Sequence, residues 1–144
     1  MPDSTSKPKI RCNIHCIDPV IVTNATTRLA PSAITWIPYT FKISGAKENI
    51  LILGDSLASE LTASLTEAED ANSTRILAGL FSAELCECDV ATLTGLPDQE
   101  VIQQLQRFQI SGAVTHRKIY GMNYYRLSSS NARRIFSDLA VSSA

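Results

Sequence analysis

The 144 residues, 44% hydrophobic and 19% charged, can bury one core, and no apolar run approaches the length needed to span a bilayer. The formal net charge of −1 argues against nucleic acid, but the charges are segregated: residues 51–100 hold ten acidic and one basic residue (net −9), and residues 101–134 hold six basic and no acidic (net +6). A basic segment of this kind is the electrostatic footprint of a phosphate-binding surface, and a plain solvated helix face accounts for it less well.

Residues 1–11 are polar and carry Pro and Lys, the composition of a mobile arm. No apolar stretch of signal-peptide type follows Met1, so a cytoplasmic location is expected. In that reducing compartment the four cysteines, spaced as Cys12-x3-Cys16 and Cys86-x-Cys88, read as metal or redox groups rather than disulfides. Asp18-Pro19 is a helix start, Asp as cap and Pro at the first helical position, for a helix reaching about Leu29. Residues 31–53 are ambiguous. Ile34 to Ile43 is rich in β-branched and aromatic residues, 44–49 is turn-like, and Ile50 to Leu53 reads as a second strand. Pro38 demotes the first stretch to an edge strand or non-strand, leaving a hairpin or a helix extension.

From Asp55 the pattern is helical, with Leu57, Leu61 and Leu65 at i+4 as far as about Ala68. Asn72 or Ser73 can cap a second helix from Thr74 to Phe81. A third runs from about Cys86 to Thr94, ending at Gly95, with Val90, Ala91 and Leu93 apolar. Thiols at i and i+2 on a regular helix point roughly 200° apart, so Cys86 and Cys88 can share a ligand only if Cys86 lies in or before the first turn. Cys86 and Asp89, at i and i+3, share a face. A helix N-terminus also favours the thiolate that binds metal. Taken alone, the pair reads as well as two small buried hydrophobes.

Pro97, Asp98 and Glu100 open a fourth helix, with Val101, Leu105 and Phe108 inward, Gln99, Gln103, Gln104 and Arg107 on the other face, and Gly112 at its end. Ala113 to Tyr120 and Asn123 to Leu127 then read as strands around Gly121-Met122. A last helix, Ser130 to Leu139, exposes Arg133 and Arg134 and offers Ile135, Phe136 and Leu139 to a partner. Helix, Gly turn, helix and β-hairpin make a winged helix-turn-helix. Its glutamines suit adenine edges in a major groove, and His116, Arg117, Lys118 and Asn123 on the wing suit phosphate or the minor groove. Plain surface solubility is the alternative for the glutamines. The predicted class is α+β and mainly helical: a dimeric winged helix-turn-helix with an N-terminal metal-binding arm. Its parts are an arm and first helix (1–30), an insertion or linker (31–54), and a DNA-binding and dimerisation domain (55–144).

From about Asp70 to Leu127 the sequence resembles the ArsR/SmtB family of metal-sensing transcriptional repressors. The resemblance is carried by Asp70-Ala-Asn-Ser-Thr-Arg-Ile-Leu77, by Glu84-Leu-Cys-Glu-Cys-Asp89, by Gly95 to Leu105, by Ser111-Gly-Ala-Val114 and by Tyr124-Tyr-Arg-Leu127. Glu84 to Asp89 at a helix-turn-helix start is the specific part. The N-terminal C-x3-C is similar to the arm of cadmium/lead sensors of CadC type, where it joins the C-x-C pair across a homodimer. The resemblance therefore implies a site of Cys12, Cys16, Cys86 and Cys88, with His15 and Asp89 as further ligand candidates. Ala91 stands where arsenite sensors carry a third cysteine, and residues 31–53 are longer than the family's usual link.

Four thiolates suit Cd(II), Pb(II), Zn(II) or Cu(I) rather than Mg(II) or Ca(II). The expected function is a repressor that binds operator DNA as an apo homodimer and is released by such an ion, with no organic cofactor and no membrane partner. The alternatives are a thiol redox or persulfide switch on the same fold, and a structural zinc domain. Two histidines, no nucleophile–base constellation and no phosphate-cradling Gly loop predict no enzymatic activity.

Overall fold

In the computed structural model, which describes residues 17–142, the chain begins at a capped helix. Asp18 accepts from the Val20 N–H at 2.9 Å, and Pro19 opens α1 (Pro19–Arg28), as the sequence predicts. The expected arm, with Cys12, His15 and Cys16, lies outside the described residues. β1 (Ile34–Phe41) and β2 (Ala46–Leu53) then pair antiparallel from Ile34↔Leu53 to Phe41↔Ala46. The ambiguous segment is thus a hairpin and not a helix extension. Residues 46–49, expected as turn, belong to the strand: the ladder continues past the core with exposed side chains. Pro38 is accommodated because a two-stranded sheet has only edge strands.

Ile50, Leu51, Ile52 and Leu53 are all buried, so this end of β2 is covered on both faces. One cover is α3 (Ala71–Ser82), to which β2 is also pinned by the Leu51 N–H donating to the Ser82 hydroxyl at 2.9 Å. At Gly54 a Cβ would collide with the backbone carbonyls of Ala30 and Pro31, so space excludes any side chain there. α2 (Asp55–Thr62) stops before the expected Ala68. Leu65 still enters the core through a turn in which its N–H donates to the Leu61 carbonyl at 3.1 Å.

α3 is the central helix, in contact with β2, with α2, with residues 122–127 and 130–142 further on, and with the helix α4 (Glu87–Thr94) that follows it. Its cap is Asp70, which accepts from the Ser73 N–H at 2.8 Å, in place of the expected Asn72 or Ser73. Gly79 permits the close approach of α4, since a Cβ there would sit 2.6 Å from the Leu93 side chain. A two-residue strand, β3 (Leu85–Cys86), precedes α4, which ends at Gly95 with φ of 72°. α5 (Asp98–Ser111) ends at Gly112, again at positive φ.

β4 (Val114–Ile119) and β5 (Met122–Leu127) form the second hairpin. Its turn is Tyr120-Gly121, one residue earlier than expected. β3 pairs with β5, giving a three-stranded sheet of order β3-β5-β4. α6 (Ser130–Ser142) closes the described chain. Phe136, expected to face a partner, is 0% exposed and lies 5.7 Å from the Phe81 ring. Its apolar neighbours Ile135 and Leu139 are half-buried. The fold is α+β, about half helical, with both sheets antiparallel and both hairpins contributing to one contiguous core.

Candidate functional site

Cys86 is both the last residue of β3 and the N-cap of α4, so it lies before the first helical turn, as a shared site with Cys88 requires. It is 1% exposed, and its backbone position is fixed by pairing with Tyr124 on β5. Cys88, in the first turn, is half-buried. Asp89 completes the turn and is itself 1% exposed. Its carboxylate accepts from the Cys86 thiol and from the backbone N–H groups of Cys86 and Ile17. The bond to the Cys86 N–H is the N3-to-N-cap half of a capping box, which supplies the cap that the sulfur does not. The Tyr39 hydroxyl lies 3.0 Å from the Glu84 carbonyl oxygen and 3.4 Å from Asp89 Oδ2.

Burial pushes the Asp89 carboxyl above the ordinary carboxylate range, and these hydrogen bonds only partly oppose it. Cys86 and Asp89 are therefore brought together, with Cys88 half-buried in the same first turn, while Cys12, His15 and Cys16 lie outside the described residues. Among the described residues no group of three or more His, Cys, Asp or Glu side chains is placed to hold a metal ion. Tyr39 was missed by sequence reasoning. It lies in the ambiguous segment, and no local pattern links it to a helix 50 residues later.

On α5 the predicted face divides. Gln99 and Gln103 are exposed, but Gln104 is 9% exposed and belongs to the inward stripe with Val101, Leu105 and Phe108. The helical period explains the correction, because position 104 lies one turn from 101 and 108. Gln104 Oε1 accepts from the Arg107 guanidinium and lies 3.2 Å from the Ser73 hydroxyl. Arg107 turns toward the start of α3, with its guanidinium also 3.2 Å from the Ser73 hydroxyl and 3.6 Å from Glu69. The outward stripe is Gln99, Gln103, Gln106 and Ile110. Gln106, missed earlier, follows from the i, i+4, i+7 spacing.

On the second hairpin His116, Arg117 and Lys118 are exposed. Gln109 Nε2 and His116 Nδ1 are 2.7 Å apart, tying the end of α5 to β4, and the His116 ring lies 5.6 Å from that of Tyr125. Arg117 makes a bidentate ion pair with Glu84 at 2.6 and 2.7 Å, and this pairing raises its pKa. Asn123 is half-buried and donates to the Tyr125 hydroxyl, while its buried Oδ1 has no hydrogen-bond partner among the described residues. The Tyr125 hydroxyl donates in turn to Glu87 at 3.0 Å, and its pKa is pushed up by burial and then by the Glu87 charge. Tyr125 thus ties the hairpin to α4, and Asn123, predicted to contact DNA, is half-buried beside it.

The exposed glutamines lie on α5 and the exposed Arg117 and Lys118 on β4, the two elements being joined at Gln109 and His116. The Cys86–Asp89 group sits beneath the same hairpin, two residues from the Glu84 that holds Arg117. Comparison with known protein families and with curated proteins finds no match to this chain.

Proposed function

We propose that the chain is a DNA-binding repressor of winged helix-turn-helix type, similar to the ArsR/SmtB family, released from its operator by a thiophilic metal ion. The observation that carries the reading is the junction at Cys86. A C-x-C pair straddles the start of the first helix of a helix–Gly turn–helix–hairpin unit, and its backbone is paired to the hairpin strand β5. Further support comes from Ile17, whose N–H donates to Asp89 and which directly follows Cys16 in sequence. Cys12, Cys16, Cys86 and Cys88 would hold the ion, a donor set suited to Cd(II), Pb(II) or Zn(II). An ion bound there would displace the thiol protons and fix its ligands relative to one another at the root of the hairpin.

In the DNA-bound form α5 would offer Gln99, Gln103 and Gln106 to base edges, and β4 would offer Arg117 and Lys118 to phosphate. In the released form Glu84 holds Arg117. The two ligands then oppose one another reciprocally, by about 1–3 kcal/mol in typical cases. A homodimer pairing through α2 and α6 fits the half-buried Leu57, Leu61, Ile135 and Leu139.

The test is a metal titration of reduced full-length protein bound to duplex DNA, with thiolate-to-metal absorption and DNA release followed together. Release should track the absorption in wild type and be lost in Cys86→Ser. Zinc release from Cys86→Ser with an unchanged dose dependence overturns the proposal. The same protein, chelated and treated with peroxide or persulfide, tests the redox alternative.

A further inference from the structure

Where the first hairpin meets α3 and the second hairpin lies a cavity of about 310 Å³, at the small end of the range for ligand sites. Its wall is aromatic: Tyr39 and Phe41 from β1, both buried, and Phe81 from α3. Each ring is held from behind. The Tyr39 hydroxyl is engaged with the Glu84 carbonyl and Asp89. Phe41 packs edge-on against Tyr124 at 5.3 Å, and Phe81 lies 5.7 Å from Phe136. A wall fixed in this way exists before any ligand arrives, so little ordering opposes binding.

The rim is charged. Arg126 of β5 and Arg133 of α6 line it, and both are exposed. Arg133 donates to the Leu127 carbonyl, and among the described residues the Arg126 guanidinium has no hydrogen-bond or ion-pair partner. Of the two carboxylates on the lining, Glu84 is neutralised by Arg117. Glu48 is paired with neither arginine, so the rim keeps a surplus of positive charge above an aromatic wall. We infer that the cavity binds a small organic carboxylate with an aromatic or alkyl body. Its carboxylate lies on Arg126 and Arg133, and its body against Tyr39, Phe41 and Phe81. The inference is independent of the DNA-binding reading. An occupant borders Tyr39 and Glu84, which reach Asp89 and Arg117, so the cavity adjoins the thiol group without sharing its ligands.

The test is calorimetry on reduced full-length protein with propionate, hexanoate and phenylacetate, and with phenylacetamide as the uncharged control. Phenylacetate should bind with a Kd of about 0.1–1 mM, and propionate roughly tenfold more weakly for want of a body to bury. Phenylacetamide should also lose roughly tenfold, since it cannot make the charge-assisted bonds to the arginines. Arg126→Ala, at an exposed side chain, should keep the wild-type Tm without ligand and weaken phenylacetate binding about tenfold. Glu48→Gln should tighten it about two- to threefold by removing the opposing charge. No binding by any of the three carboxylates up to about 10 mM overturns the site. Equal affinity for phenylacetate and phenylacetamide, or an unchanged affinity in Arg126→Ala, overturns it as well. Loss of binding in Lys118→Ala but not in Arg126→Ala would place the anion on the open strand instead. None of these outcomes bears on the metal titration that decides the DNA-binding reading.

Discussion

The first hairpin, β1–β2, pairs eight residues per strand and buries Ile37, Tyr39, Phe41 and Ile50 to Leu53. The second, β4–β5, pairs six and leaves Thr115, His116, Arg117 and Lys118 in water. Both are antiparallel ladders with a glycine at positive φ in the connection. Hydrogen-bonded pairing is therefore common to them, and what differs is what lies against each face. β2 has α3 against it and an apolar end covered on both sides. β4 has the edge of its sheet and a run of cations. A hairpin enclosed in this way serves the core, and one left open on a basic face is available to a partner.

Truncation separates the two most sharply. Leu51→Ala should cost about 2–5 kcal/mol, whereas Lys118→Ala should change stability by less than about 0.5 kcal/mol, both read from urea unfolding. Equal losses would erase the distinction between an enclosed and an open hairpin. Glu84→Gln tests the link between the open hairpin and the thiol group. Removing the carboxylate frees Arg117 for phosphate, so DNA affinity should rise roughly three- to fivefold at low salt. Unchanged affinity would mean that the Glu84–Arg117 pair is only structural.

Asp89 gives the finest test, through pH. Its folded-state pKa is raised, so its contribution to stability is fully present below the unfolded value and is lost as pH rises through the folded one. Asp89→Asn cannot ionise. Its stability relative to wild type should therefore improve as pH increases across that window, and thermal unfolding at several pH values measures it. A difference that stays flat with pH would show that hydrogen bonds cancel the burial.

The helices were legible in the sequence because their signals are local. Asp18-Pro19, the glycines at 95 and 112, and the apolar spacing of α5 each lie within a turn or two of what they specify. β3 was not legible, since two residues carry no periodicity and its pairing partner lies some forty residues on. The extent of β2 was hidden because Lys47, Glu48 and Asn49 look like turn residues, while a ladder that leaves the core tolerates polar side chains. At the candidate site the Cys86–Asp89 contact was legible from the i, i+3 spacing at one helix start. Gln104 was misplaced for want of the same period applied strictly. Tyr39 and the Glu84–Arg117 pair depend on tertiary placement that one sequence does not display.

The Tyr39 contacts have a consequence in folding time. They join residues 45 and 50 positions apart, and Ile17 reaches Asp89 from further still. Closing loops of that length costs chain entropy before any contact rewards it, so local units such as α5 and β4–β5 form sooner. The contacts of Tyr39 and Ile17 around Asp89 are then among the last to assemble. Until they do, the Cys86 thiol lacks the Asp89 acceptor that it has in the finished molecule.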